Sequence, residues 1–194
     1  MTVAQNRVNE AQLLLDYTVQ ILDQTSGIVT PYQSNKNSTS DKSASYGAQV
    51  GGHIRHIVEH YEALTTALAL AAWCAGCKVD YDARARDPLL ETDPSTALTR
   101  IAALQRALRS GCGVPARQAL PVEIHTRGGL EGEYNFRTMS TLARELSFLN
   151  SHAVHHFAIL QGYAKLRGES LGAGLGRAPS TIAHENKLQR QAGR

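Results

Sequence analysis

A chain of 194 residues, 42% hydrophobic and 19% charged, has enough apolar material for one core, and folding at this length removes about 70% of the chain's surface from water. No uninterrupted apolar run approaches the ~18 residues of a membrane span, and the first apolar stretch, AQLLLDYTVQIL, carries Asp16 and lacks the basic leader and cleavage site of a signal peptide, so the expected setting is cytoplasmic, without a membrane partner. A formal charge of +3, dispersed apart from the tail KLQRQAGR, argues against a nucleic-acid partner.

The first helix is expected over about Val8 to Gln24, where Leu13, Leu14, Tyr17, Ile21 and Leu22 recur at steps of three and four, with Thr25-Ser26-Gly27 as a stop. The polar stretch TPYQSNKNSTSDKSAS then reads as a loop long enough to cross the end of a bundle. A second and longer helix, about Ala48 to Cys77, follows from Ile54, Ile57, Tyr61, Leu64, Leu68 and Ala71. KVDYDARARDPLLETDP, charged and holding two prolines, reads as a connection rather than a core element. Asp93 before Pro94 is a cap and first-turn pair for a third helix, STALTRIAALQRAL.

Alternation at Val122, Ile124 and Thr126, and again at Tyr134 and Phe136 around the turn RGGLEG, predicts a small β-hairpin. The fourth helix is expected from about Thr141 to Leu166, ending at Gly168. The expected fold is therefore all-α, a four-helix bundle with a small β-hairpin inserted before the last bundle helix. The bundle domain spans residues 1–168, and residues 169–194 form a glycine-rich and polar C-terminal tail.

Three cysteines, Cys74, Cys77 and Cys112, cannot all pair within one chain, which fits a reducing compartment. Cys74 and Cys77 form a C-x-x-C without a second pair, and read as small residues packed near a helix end rather than as a redox or zinc motif.

Six of the eight histidines fall in two short segments, GGHIRHIVEH and SHAVHHF. In the last helix a seam runs Leu142, Glu145, Leu149, His152, His156, Ile159 and Tyr163, so His152 and His156 form an i, i+4 pair on the apolar stripe. Two neutral imidazoles in that position can share one cation. His155 lies beside the stripe and is the poorer ligand candidate. On the second helix His53, His56 and His60 fall within about 60° of one another, and periodicity does not choose among them as a third ligand. Glu59 and Glu145 are candidates to accept the outer N–H of a ligand histidine, while Arg55 and Arg144 read as solvated charge.

VGGHIRHIVEHYEAL and SHAVHHFAIL resemble segments of the DinB-like superfamily of metal-binding four-helix bundles. The resemblance covers roughly Val8 to Leu166. It implies a three-histidine site for a divalent ion, with the family's histidine-then-hydrophobic position falling on His56-Ile57 and its H-x-x-x-H pair on His152 and His156; the same dipeptide pattern recurs at His53-Ile54. It also implies zinc, nickel or iron as the ion, a low-molecular-weight thiol as a cofactor, a homodimer, and thiol-dependent transferase or hydrolase chemistry on a small molecule. Two other readings stand beside it: a non-catalytic, stress-associated bundle in which an ion ties two helices together, and a metal-free helical interaction module.

Overall fold

The computed structural model describes residues 3–33, 45–71, 76–111 and 119–192; Cys74 and Cys112 lie outside them. Four helices form the core: α1 (Val3–Val29), α2 (Gly52–Ala71), α4 (Pro94–Gly111) and α5 (Leu142–Leu166). The principal neighbours of α1 are α4 and α5, and those of α2 are the same two helices. α1 and α2 therefore occupy one diagonal of the bundle; most of the polar loop expected to cross its end, residues 34–44, lies outside the described residues. Leu22, Ile54, Leu64, Ile101, Leu108, Leu146 and Phe157 fill the centre. Within it Tyr61 donates to Asn150 Oδ1 (2.8 Å) and Asn150 Nδ2 donates to Thr18 Oγ1 (3.0 Å), a buried network that joins three helices.

α1 runs through the expected stop at Thr25-Ser26-Gly27. The Thr25 hydroxyl donates to the Ile21 carbonyl at 2.9 Å, which satisfies it inside the helix, and the buried Ile28 and Val29 keep the last turn on the core. The chain is helical from Ser45, passes through a π turn at Gly47–Gly51 and continues as α2. A Cβ on Gly51 would lie 1.9 Å from the Glu91 carbonyl oxygen, so only glycine allows this approach.

α2 is described as far as Ala71, with residues 72–75 outside the described residues, and Cys77, the expected end of this helix, instead opens β1 (Cys77–Asp80). The stretch read as a mere connection is thus structural: it supplies β1 and the short helix α3 (Pro88–Thr92), with Cys77, Val79, Tyr81 and Leu90 buried. Lys78, Asp80 and Asp82 alternate with those inward residues, and their charge masks the period of two. β1 pairs parallel with β2 (Pro121–Gly128), which pairs antiparallel with β3 (Tyr134–Thr141). The expected hairpin is therefore part of a three-stranded mixed sheet, β1-β2-β3, and the chain is mainly helical rather than all-α.

α4 begins at Pro94, where Asp93 accepts from the Ser95 and Thr96 amides as anticipated. Thr141 caps α5, and Gly168, at φ +74°, ends it. The tail turns back on α5 through Gly176 (φ +75°), where a Cβ would lie 2.4 Å from the Ala158 backbone. It then forms a further helix, α6 (Pro179–Ala192), with no buried residue. Among the described residues no helix is long and apolar enough to cross a membrane.

Candidate metal centre

The packing of α2 against α5 brings His56, His152 and His156 together: one ring nitrogen from each lies within 4.8 Å of the other two, and the cluster could hold a metal ion. His56 Nε2 and His152 Nε2 are 2.8 Å apart. Three imidazole nitrogens on one tetrahedral ion sit about 3.4 Å from one another, so small ring rotations bring these into range.

The histidine pair of α5 is not on the core stripe, as the sequence suggested, but on its flank. The buried row is one position over, Leu149, Ala153, Phe157, Leu160 and Ala164, while His152 and His156 are half-buried and Tyr163 is exposed. Ala153 and Ala164 make the true contact row less apolar in appearance than the row beside it. This displacement leaves the imidazoles open to one side.

Burial is the first cause that keeps these rings neutral. It lowers His56 to about 3, with His60, Arg84, His156 and His152 adding to the effect, and lowers His156 to about 4; His152 is lowered in the same direction. Each ring is therefore neutral near pH 7, with one unprotonated nitrogen, the form a cation requires.

Around the cluster the other histidines differ in role. His60 is buried, stacks on Tyr81 and donates from Nδ1 to the His56 carbonyl at 2.6 Å. His53 Nδ1 lies 2.8 Å from His156 Nδ1 at the open side. His155 is exposed, its ring 5.7 Å from that of His156. Phe148 stacks on the other side of His152.

Neither carboxylate proposed for a ligand histidine contacts one. Glu145 is buried and accepts from Tyr81 Oη (2.9 Å) and from Ser140, holding the end of β1 on α5. Glu59, also buried, accepts from the Asp87 amide at 2.7 Å and so pins the chain between β1 and α3. Arg55 pairs with Glu91, and Arg144 lies over the Phe148 ring.

The residue that sequence reasoning missed is Arg84. Its Nη1 donates to His56 Nδ1 at 3.1 Å and stands 3.6 Å from Glu59 Oε2, a buried atom with no hydrogen bond of its own. Arg84 belonged to a segment read as connection, and no local pattern marks an arginine that a distant carboxylate draws inward.

Beside the cluster, between the start of α2 and the end of α5, lies an open cleft of about 440 Å³ lined by Gln49, His53, Glu91, Tyr163 and Arg167. A larger hollow of about 530 Å³, between α1 and α4, contains no histidine.

No protein-family model matches the chain. No solved structure matches it. Among known proteins it is similar to FK506-binding protein 5 of Rhizopus delemar, at 28% identity over 109 residues, which is 56% of this chain and 28% of that protein. The chain thus spans well under a third of the length of the relative it matches.

Proposed function

We propose that this chain is a divalent-metal-dependent enzyme of the DinB-like type, with His56, His152 and His156 as the ligands and a small molecule bound in the adjoining cleft. The observation that carries this reading is the convergence of three neutral, half-buried imidazoles, one of which, His156, meets His53 in the lining of a cleft. A borderline ion such as zinc, nickel or iron suits an all-imidazole set, and when bound it would supply Lewis acidity toward a water or a low-molecular-weight thiol at its open positions.

The chain's own residues hold that arrangement. Phe148 and His60 flank the His152 ring, and the hydrogen bond from His60 to the His56 carbonyl orders the turn of α2 that carries His56. Arg84 faces His56 Nδ1 with a donor, whereas a ligand imidazole places its outer N–H on an acceptor. The orphaned Glu59 Oε2 beside the same Nη1 gives the guanidinium an alternative partner, so that a small rotation of Arg84 relieves His56.

A second reading, in which the ion is only a staple, draws on the same geometry, since His56 on α2 and the two histidines on α5 would tie the helices together. Nickel- or cobalt-loaded protein separates the two. Addition of a small thiol should produce a thiolate-to-metal absorption band if a coordination position is open toward the cleft. An unchanged spectrum favours the staple, and failure to take up either ion refutes both.

A further inference from the structure

His53 stands outside the three-histidine ligand set, yet its Nδ1 lies 2.8 Å from Nδ1 of His156, which belongs to that set. The two rings meet edge to face, at 60°. A hydrogen bond between two neutral imidazoles holds a single proton, so it couples their tautomers. The ring that donates from Nδ1 keeps its lone pair at Nε2, and the ring that accepts at Nδ1 carries its proton on Nε2.

The two directions are not equivalent beside a metal centre. With Nδ1 turned to His53, His156 has Nε2 left for an ion, the same nitrogen that His56 and His152 direct at each other. That nitrogen is unprotonated only if His156 Nδ1–H is the donor and His53 Nδ1 the acceptor. A ligand imidazole is held in place by an acceptor for its outer N–H. Among the described residues His53 is the side chain placed to fill that role, since Arg84, at His56 Nδ1, can only donate.

Accepting at Nδ1 commits His53 to Nε2–H, and His53 lines the open cleft of about 440 Å³. Two more donors share that lining. Tyr163 has its ring centroid 6.1 Å from that of His53, and Arg167 spends Nε and Nη2 on Glu169, at 3.1 and 3.0 Å, and keeps Nη1. The acceptors of the cleft are already engaged: Glu91 pairs with Arg55, and Gln49 Oε1 accepts from Tyr32 at 3.1 Å. Donors are thus in excess, which suits an anionic oxygen ligand.

We propose that His53 is a positioning residue that joins the metal centre to the cleft: it accepts His156 Nδ1–H, presents its own Nε2–H to the cleft, and with Tyr163 and Arg167 selects a small-molecule carboxylate there. The proposal rests on the three-histidine reading above and adds to it a ligand class.

Long-range proton–nitrogen correlation spectra of the full chain, isotope-labelled at histidine and loaded with zinc, read the tautomers directly. His156 should be bound through Nε2 with its proton on Nδ1, and His53 should carry its proton on Nε2. His53→Ala should weaken zinc binding by about tenfold, the low end of what loss of an outer acceptor costs, whereas His53→Gln, whose amide oxygen accepts the same N–H, should keep the wild-type affinity. Benzoate, as the probe carboxylate, should shift the His53 Nε2–H signal of the zinc-loaded protein, and should bind several-fold more weakly to Arg167→Gln. A chain that takes up zinc but holds the His53 proton on Nδ1, or that binds zinc equally well as His53→Ala, would overturn the proposal and leave the three-histidine site standing. Benzoate that leaves the His53 signal unmoved would overturn it too. Failure to take up zinc, nickel or iron would overturn both.

Discussion

His56 Nε2 lies 2.8 Å from His152 Nε2, across the α2–α5 interface and 96 residues apart in the chain. Two imidazoles this close cannot both be protonated without strong repulsion, and burial adds to that cost.

The first prediction follows for the metal-free protein. His56 is lowered to about 3, and His60 and His156 to about 4, chiefly by burial, whereas an unfolded histidine titrates near 6.5. As the pH falls from about 6.5 toward these values the unfolded chain binds more protons than the folded one, so stability declines across that window and not above it. The urea midpoint in chelator should be flat from about pH 8 to 7 and fall by pH 5. His60→Gln should flatten part of the slope. A midpoint independent of pH between about 7 and 5 would contradict the neutral cluster.

Gly51→Ala should be destabilising out of proportion to one methyl group. The added Cβ meets the Glu91 carbonyl at 1.9 Å, backbone against backbone, where α3 abuts the start of α2. Crowding of this kind costs about 1–3 kcal/mol, readable as a lower melting temperature. Gly27→Ala, at a position with nothing within 4 Å of the added atom, is the matched control and should leave stability unchanged or slightly raised.

Arg84→Gln should separate stability from affinity. The substitution deprives the buried Glu59 of its cationic neighbour, so the melting temperature should fall. It also removes a positive charge 3.1 Å from His56 Nδ1, and charges a few ångströms apart at a partly buried site interact by ~1–4 kcal/mol. Zinc affinity, measured by competition with a chromogenic chelator, should therefore rise by roughly tenfold. Unchanged or weaker binding would show that Arg84 does not act on His56.

The four bundle helices were legible in the sequence because each carries its own apolar period, and the Asp93 cap and Gly168 stop lie where they were expected, whereas the short α3, and α6 with no buried residue, fell in stretches read as connection and tail. The histidine cluster was legible because spacing of four residues on α5 is a local fact that the approach of α2 only completes. Two kinds of feature were not legible. β1 is four residues long and alternates apolar with charged residues inside a stretch of high overall charge, and its reason for being a strand is the distant β2. The placing of Arg84, Glu59 and Glu145 depends on which loop lies over which helix, and nothing in their immediate neighbours records that. The choice of seam on α5 failed for a related reason, since small residues such as Ala153 mark a close helix contact less visibly than the larger side chains next to them.

The most direct test of the metal centre is metal content per chain, by mass spectrometry, after the protein is incubated with zinc, nickel or iron and freed of excess ion. About one ion per wild-type chain is expected, with loss of the ion in His56→Ala, His152→Ala and His156→Ala but retention in His155→Ala. A wild-type chain that stays metal-free with all three ions, or one whose ion survives each of the three ligand substitutions, would contradict the account.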